Sequence, residues 1–216
     1  MRITTEFFEN KKTEEIAESL LGQYLVHETS RGILAGYLVD VEAYLGPEDE
    51  AAHSFGLRQT PRLAAMYQPA GTIYLYTMHT HLILNFVTQA AGQPQGVMIR
   101  GLQPVENIPL MIENRQGISS VEISNGPGKL VTAMGITKEL YGKTLFGSEL
   151  YLLSEKAKQP QEILRLPRIG IPNKGIWTDK RLRYAVAGNP YISKQKKQAI
   201  DQENFGWLPE DKKENE

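Results

Sequence analysis

Glu42 and Tyr44 stand two residues apart at the end of an apolar, β-branched run, Ile33 to Val41, and His53 follows in the loop opened by Gly46-Pro47. The run reads as a strand, and Gly-Pro breaks it. Side chains alternate faces along a strand, so Glu42 and Tyr44 are expected to project the same way near its end. A carboxylate and an aromatic ring are thus presented together at the mouth of a loop that also supplies an imidazole. A polar catalyst beside stacking surfaces suits chemistry on a flat, polar ring.

Other residues extend or compete with this set. Arg100 lies on the apolar run Val97-Met98-Ile99-Arg100, where an unpaired buried charge would be costly. Pairing with a carboxylate such as Glu42, or with a phosphate and a water, would resolve that cost. Asn85 interrupts another apolar run, Leu82 to Val87, where an Asn is usually a bulge or edge residue. Glu48-Asp49-Glu50 with His53 invites a metal reading, because hard cations favour clustered carboxylates. Three consecutive side chains rarely converge on one ion, however, and no metal is expected. Gly126-Pro127-Gly128-Lys129 lacks the G-x-x-x-x-G-K-[ST] spacing of a phosphate loop. It reads instead as a tight turn into a helix N-terminus that caps the helix or touches a phosphate.

The elements that must position these residues follow from periodicity and breakers. Thr13 to Leu21 is a short helix with Ile16, Leu20 and Leu21 at helical spacing and Gly22 as its stop. Gln23 to His27 and Gly32 to Tyr44 read as paired strands. Gly71 to Met78 and Leu82 to Thr88 form two more around the link His79-Thr80-His81, and Gly96 to Leu102 is another. Pro104 is expected to open a helix reaching about Asn114, and Pro127 to Met134 to form a second. Strands recur near Leu150 to Leu153, Ile163 to Ile171 and Tyr184 to Ala187. Strands and helices do not alternate as βαβ units, so the expectation is an α+β domain over residues 1–200. The polar tail, 201–216, is expected to be flexible.

Composition sets limits. The 216-residue chain holds no cysteine, which excludes thiolate chemistry and disulfides. No apolar run approaches the roughly 20 residues needed to span a bilayer, and Met1 to Glu6 lacks the apolar centre of a signal peptide. A cytoplasmic protein without membrane contact is expected. The net charge of −1 conceals an asymmetry: Arg165 to Lys197 carries nine Lys/Arg against Asp179 alone, so +8, and the rest carries −9. Phosphate binding depends on local basic surface. Interleaved Trp177, Tyr184 and Tyr191 tilt this segment towards nucleic acid, against a plain solvated surface.

The run Glu42-Ala43-Tyr44-Leu45-Gly46-Pro47-Glu48-Asp49-Glu50-Ala51-Ala52-His53-Ser54, followed by Arg58-Gln59-Thr60-Pro61-Arg62, closely resembles the 3-methyladenine (alkyladenine) DNA glycosylases of mammals and many bacteria. Gly71 to Tyr76, Asn85, Arg100 to Pro104, Asn125 to Leu130, Arg168 to Ile171, Trp177, Lys180 to Tyr184 and Gly188 to Pro190 are similar to further family blocks, in the family's order. The resemblance implies a single compact domain with a curved, mostly antiparallel sheet and flanking helices. It also implies that Glu42 activates a water for attack on the sugar carbon, where breaking an N-glycosidic bond develops oxocarbenium charge. Arg100 shares that site. Tyr44, His53 and Tyr76 stack around a purine rotated out of double-stranded DNA, and Asn85 lines the pocket floor, disfavouring the 2-amino group of guanine. Lys129, Arg168, Lys180 and Arg181 are the candidates for backbone phosphates. No cofactor is required, and a monomer is expected.

The chain departs from the family at Thr77 to His81, where mammalian relatives place a tyrosine that fills the gap left by the flipped base and where alignment needs a one-residue deletion. His79, Met78 and His81 are the candidate wedges, His79 leading because it lies at the predicted tip and carries a flat ring. Three functions are thus weighed. A monofunctional glycosylase needs Glu42, a non-catalytic lesion-binding module tolerates its loss, and a metal-dependent hydrolase uses the acidic cluster with His53.

Overall fold

In the computed structural model, which describes residues 1–209, eight antiparallel strands form one curled sheet. They are β1 (Tyr24–Thr29), β2 (Gly32–Tyr44), β3 (Ile73–Met78), β4 (His81–Val87), β5 (Gly96–Glu106), β6 (Leu150–Leu153), β7 (Ile163–Leu166) and β8 (Arg183–Val186). The order is β3-β4-β5-β2-β1-β6, with β8 joining β2 to β7. This is the expected α+β fold. Helices α1 (Thr13–Leu20), α2 (Ile108–Asn114), α3 (Pro127–Ala133) and α4 (Ile176–Asp179) flank it. Among the described residues no helix is long and apolar enough to cross a membrane.

Helix α1 shows how local sequence and packing combine. The Glu15 carboxylate accepts the Lys12 N–H at 2.6 Å, and Gly22, at φ 82°, lets the chain leave where a Cβ would strike the Lys158 carbonyl. Eight residues make a marginal helix alone. Ile16 and Leu20 are fully buried against the sheet, each contributing about 1.5–3 kcal/mol by transfer from water.

Strand β2 is the hub. Its first half pairs with β1, its last residues pair with β8, and β5 runs along its other edge. Between Leu38↔Leu102 and Val41↔Ile99 the register slips twice, leaving Val39 on β2 and Arg100 on β5 as extra residues. Such bulges bend the sheet and re-aim side chains. Val41 and Ala43 face the core, while Glu42 and Tyr44 meet on the other face, as the alternation requires.

Three expectations need correction. β5 runs through Pro104 to Glu106 rather than yielding to a helix there, because Pro104 adjoins a further register shift that leaves Val105 unpaired. The helix waits for Pro109, in the first turn of α2, after Asn107 turns the chain at φ 57°. The strand expected from Ile163 to Ile171 stops at Leu166, since Pro167 has no N–H to continue the ladder. The expected flexible tail is packed over its first part. Trp207 is buried, its indole N–H donates to Gln103 Oε1 at 2.8 Å, and its ring lies 5.6 Å from that of Tyr37. Residues 210–216 lie outside the described part.

Candidate active site

Glu42 is held on both sides: Met98 of β5 is its neighbour across one ladder and Arg183 of β8 across the other. Its side chain has no exposed surface. Oε2 accepts the Tyr44 hydroxyl at 2.9 Å, and Oε1 accepts the Ile169 N–H at 2.8 Å and faces Arg100 Nη1 at 3.2 Å. Burial pushes the carboxyl above its ordinary range, while Arg100, the Ile169 N–H and Tyr44 pull it back in part. The result is a fixed carboxylate with raised proton affinity, the property a general base needs.

A cavity of about 320 Å³ opens beside it, at the lower end of the roughly 300–1,000 Å³ typical of small-molecule sites. Tyr44, His53, Tyr76, Asn85 and Arg100 all line it, so the structure gathers these expected residues at one place. Glu42 touches Tyr44 and Arg100 but does not itself line the cavity. His53 is half-buried rather than solvated, with Nδ1 3.0 Å from the Tyr74 hydroxyl and its ring 4.4 Å from Tyr76 in edge contact. Burial, then Arg62 and Arg58, lower its pKa, so the imidazole stays neutral near pH 7 and adds no charge to the pocket. Burial, with the Glu42 charge behind it, lifts the Tyr76 hydroxyl to about 12. Asn85 is buried and donates to the carbonyls of Tyr74 at 3.2 Å and Ile83 at 3.4 Å.

Arg168, expected on the DNA backbone, is the clearest correction. Its side chain is wholly buried, forking onto Asp49 at 2.5 and 2.9 Å and reaching the Ala43 carbonyl at 3.1 Å. Its guanidinium also lies 4.7 Å from the Tyr44 ring centre. Both terminal nitrogens of this desolvated guanidinium are bonded inside the protein, and only its buried Nε has no partner, so it is not available to a phosphate. It pins the 168–171 segment over the site, which is what brings the Ile169 N–H to Glu42. Asp49 in turn accepts the N–H groups of Leu45 and Ala51. This oxygen pair is therefore engaged with protein donors, while Glu48 and Glu50 point to solvent. Among the described residues no three acidic, His or Cys side chains converge as metal ligands.

The remaining candidates separate by position. Met78 and His79 border the cavity, and His79 holds φ 53° at the turn between β3 and β4. His81 points elsewhere, packed so close to Gly128 of α3 that a Cβ there would lie 2.7 Å from it. Lys129 sits at the start of α3, its ammonium between Asn125 Oδ1 at 2.9 Å and Glu122 at 3.1 Å. The Lys180 ammonium rests 3.6 Å above the Trp177 ring, and Arg181 is exposed. Arg165 and Arg183 pair with Glu18 and Asp40, so the basic segment offers less free charge than its count suggests.

Sequence reasoning missed three contributors. Tyr74 shares a face with Tyr76 two residues on, a spacing that could have signalled it. The Ile169 amide had no side-chain signal. Asp40, two residues before Glu42 on the same strand, was readable only by the alternation already applied to Tyr44.

The model of the methylpurine-DNA glycosylase (MPG) family matches residues 6–190. An Enterococcus faecalis protein is 66% identical over 211 residues, covering 98% of this chain and 92% of its own. A Listeria monocytogenes protein is 49% identical, covering 92% and 95%, and one from Staphylococcus carnosus is 48% identical, covering 88% and 92%. All three are provisionally named 3-methyladenine DNA glycosylases. With the match running from before α1 to beyond β8, and so through every element that builds the cavity, the chain belongs to the methylpurine-DNA glycosylase family.

Proposed function

We propose that this protein is a monofunctional DNA-3-methyladenine glycosylase, which rotates an alkylated or deaminated purine out of duplex DNA and hydrolyses its N-glycosidic bond. The observation that carries this reading is the buried Glu42–Arg100 pair set against an aromatic cavity in a chain of this family. The purine stacks against Tyr44, His53 and Tyr76. Base–aromatic stacking worth roughly 1–3 kcal/mol per base offsets much of the few kcal/mol that extrusion costs. A base alkylated at N3 or N7 is cationic, and the electron-rich tyrosine faces attract it, while a neutral His53 does not repel it.

Glu42 takes a proton from the water that attacks C1′, the purine departs with the bond electrons, and an abasic site remains. Met78 or His79 fills the vacated stack, and Lys129, Lys180 and Arg181 contact the phosphates. Lyase chemistry would need an amine nucleophile, and no lysine is among the residues that line the cavity.

The test is incubation with a duplex carrying one alkylated or deaminated purine, scored for free base and for strand integrity. Base release with an unbroken strand is expected. No release from any such duplex would refute the reading, and a borohydride-trapped adduct would refute its monofunctional part.

A further inference from the structure

We propose that Asp40 is a positioning residue for the chemistry at Glu42: gripped by Arg183, its carboxylate holds the Arg100 guanidinium from behind and limits how far Arg100 is drawn onto Glu42. The proposal rests on the glycosylase reading above.

The geometry is a chain of alternating charges across three strands. Arg100 Nη1 is 3.2 Å from Glu42 Oε1, and Arg100 Nε is 4.0 Å from Asp40 Oδ2. Arg183 then forks onto Asp40 with two bonds of 2.9 Å, and the Ser193 N–H adds a third at 2.9 Å. Arg183 is itself held by the Ser193 carbonyl at 2.8 Å. Asp40 and Glu42 are fully inaccessible, and Arg100 and Arg183 are nearly so. Desolvated charges of this kind persist where each is opposed by another.

Two details indicate more than a structural ion pair. First, Arg100 and Val39 are the extra residues of facing bulges, and Asp40 lies between those slips, so the strands are offset where the guanidinium meets the two carboxylates. Second, Arg100 Nε is buried without a hydrogen-bond partner, at ion-pair distance from Asp40 rather than in a bond. Arg100 is therefore shared between two carboxylates and fully bound by neither. A guanidinium committed to Glu42 alone would hold that carboxylate in its charged form and weaken it as a base. Sharing with Asp40 fixes the position of Arg100 while leaving Glu42 its proton affinity. The other groups facing Glu42 are the Tyr44 hydroxyl from β2, Tyr76 from β3 and the Ile169 N–H from the 168–171 segment. Among the charged groups that act on Glu42, Asp40 favours its protonation and Arg100 opposes it.

The test uses the full chain with Asp40→Asn/Arg183→Gln, which removes both charges together, and Arg183→Lys, which keeps them but loses the forked grip. Single-turnover base release is followed against pH, and the Glu42 carboxyl is titrated directly by ¹³C NMR. The double variant should lower the plateau rate by roughly 10- to 10²-fold, as expected of a displaced catalytic group. Its Glu42 midpoint and the acid limb of its rate profile should both move to lower pH. Arg183→Lys should lower the plateau with the midpoint held, and it carries the test should the double variant not fold. A midpoint unmoved in the double variant, or a parental plateau in Arg183→Lys, overturns the proposal. Should the parent release no base, the glycosylase reading fails, while the Glu42 titration still decides whether Asp40 is coupled to it.

Discussion

Two hydrogen-bond donors, the Ile169 N–H and the Tyr44 hydroxyl, and the paired Arg100 guanidinium converge on Glu42. Glu42→Gln keeps the shape but removes the base and turns an amide N–H₂ towards one of those donors. Base release should fall by roughly 10²-fold or more, the scale of general-base contributions, with affinity for lesion-bearing duplex retained in a gel-shift assay. Tyr44→Phe probes the same carboxylate through acidity. The hydroxyl helps to hold Glu42 ionised against the effect of burial, so its loss raises the carboxyl pKa further. The base works only when deprotonated, and the acid limb of the rate profile should therefore move to higher pH. An unmoved limb would mean that the hydroxyl does not bond to Glu42 in the working enzyme. Alternation along β2 made Glu42 and Tyr44 legible from sequence. Arg168 was not, because its partner Asp49 is distant in the chain and an arginine's burial has no local signature.

Elements were legible where polar and apolar residues keep strict periods, as in α1, the β1–β2 hairpin and the β3–β4 hairpin. Pro104 misled because proline tolerates bulges and helix starts alike, and only the partner strand decides, whereas the apolar run from Ile163 masked the break that Pro167 imposes. At the β3–β4 turn, His79→Ala and Met78→Ala should each be compared on a well-paired duplex and on a destabilised mismatch. The wedge variant should lose activity mainly on the paired substrate, where opening costs more. Equal loss on both would assign the residue to chemistry instead. The 168–171 segment makes a stability prediction. Arg168→Ala leaves Asp49 buried and unpaired, which should cost about 3–5 kcal/mol in chemical denaturation. It should also slow base release by freeing the Ile169 amide from Glu42.

At the scale of the molecule, the formal charge of −1 says little about DNA binding, because part of the basic segment is spent on internal pairs. The C-terminal segment matters more than its polarity suggested. Trp207 sits in the short apolar run Phe205-Gly206-Trp207-Leu208 within an otherwise polar segment, and it packs on Tyr37 and bonds Gln103, which no local pattern links to it. Trp207→Ala should cost about 3–5 kcal/mol, read as a melting point lower by roughly 6–20 °C for a chain of this size.

Strand β8 has a consequence for how the protein is made. A ribosome releases the chain from its N-terminus, so β2 emerges early, with Asp40 and Glu42 side by side on it. Their counter-charges come later: Arg100 follows on β5, and Arg183, with the strand that completes the ladder beside Glu42, comes only near the end of synthesis. Two unopposed carboxylates cannot be buried together, so the nascent chain has to leave this part of the sheet open to water. A chain that ends before β8 would lack Arg183, and with it both the partner of Asp40 and the strand paired with Glu42.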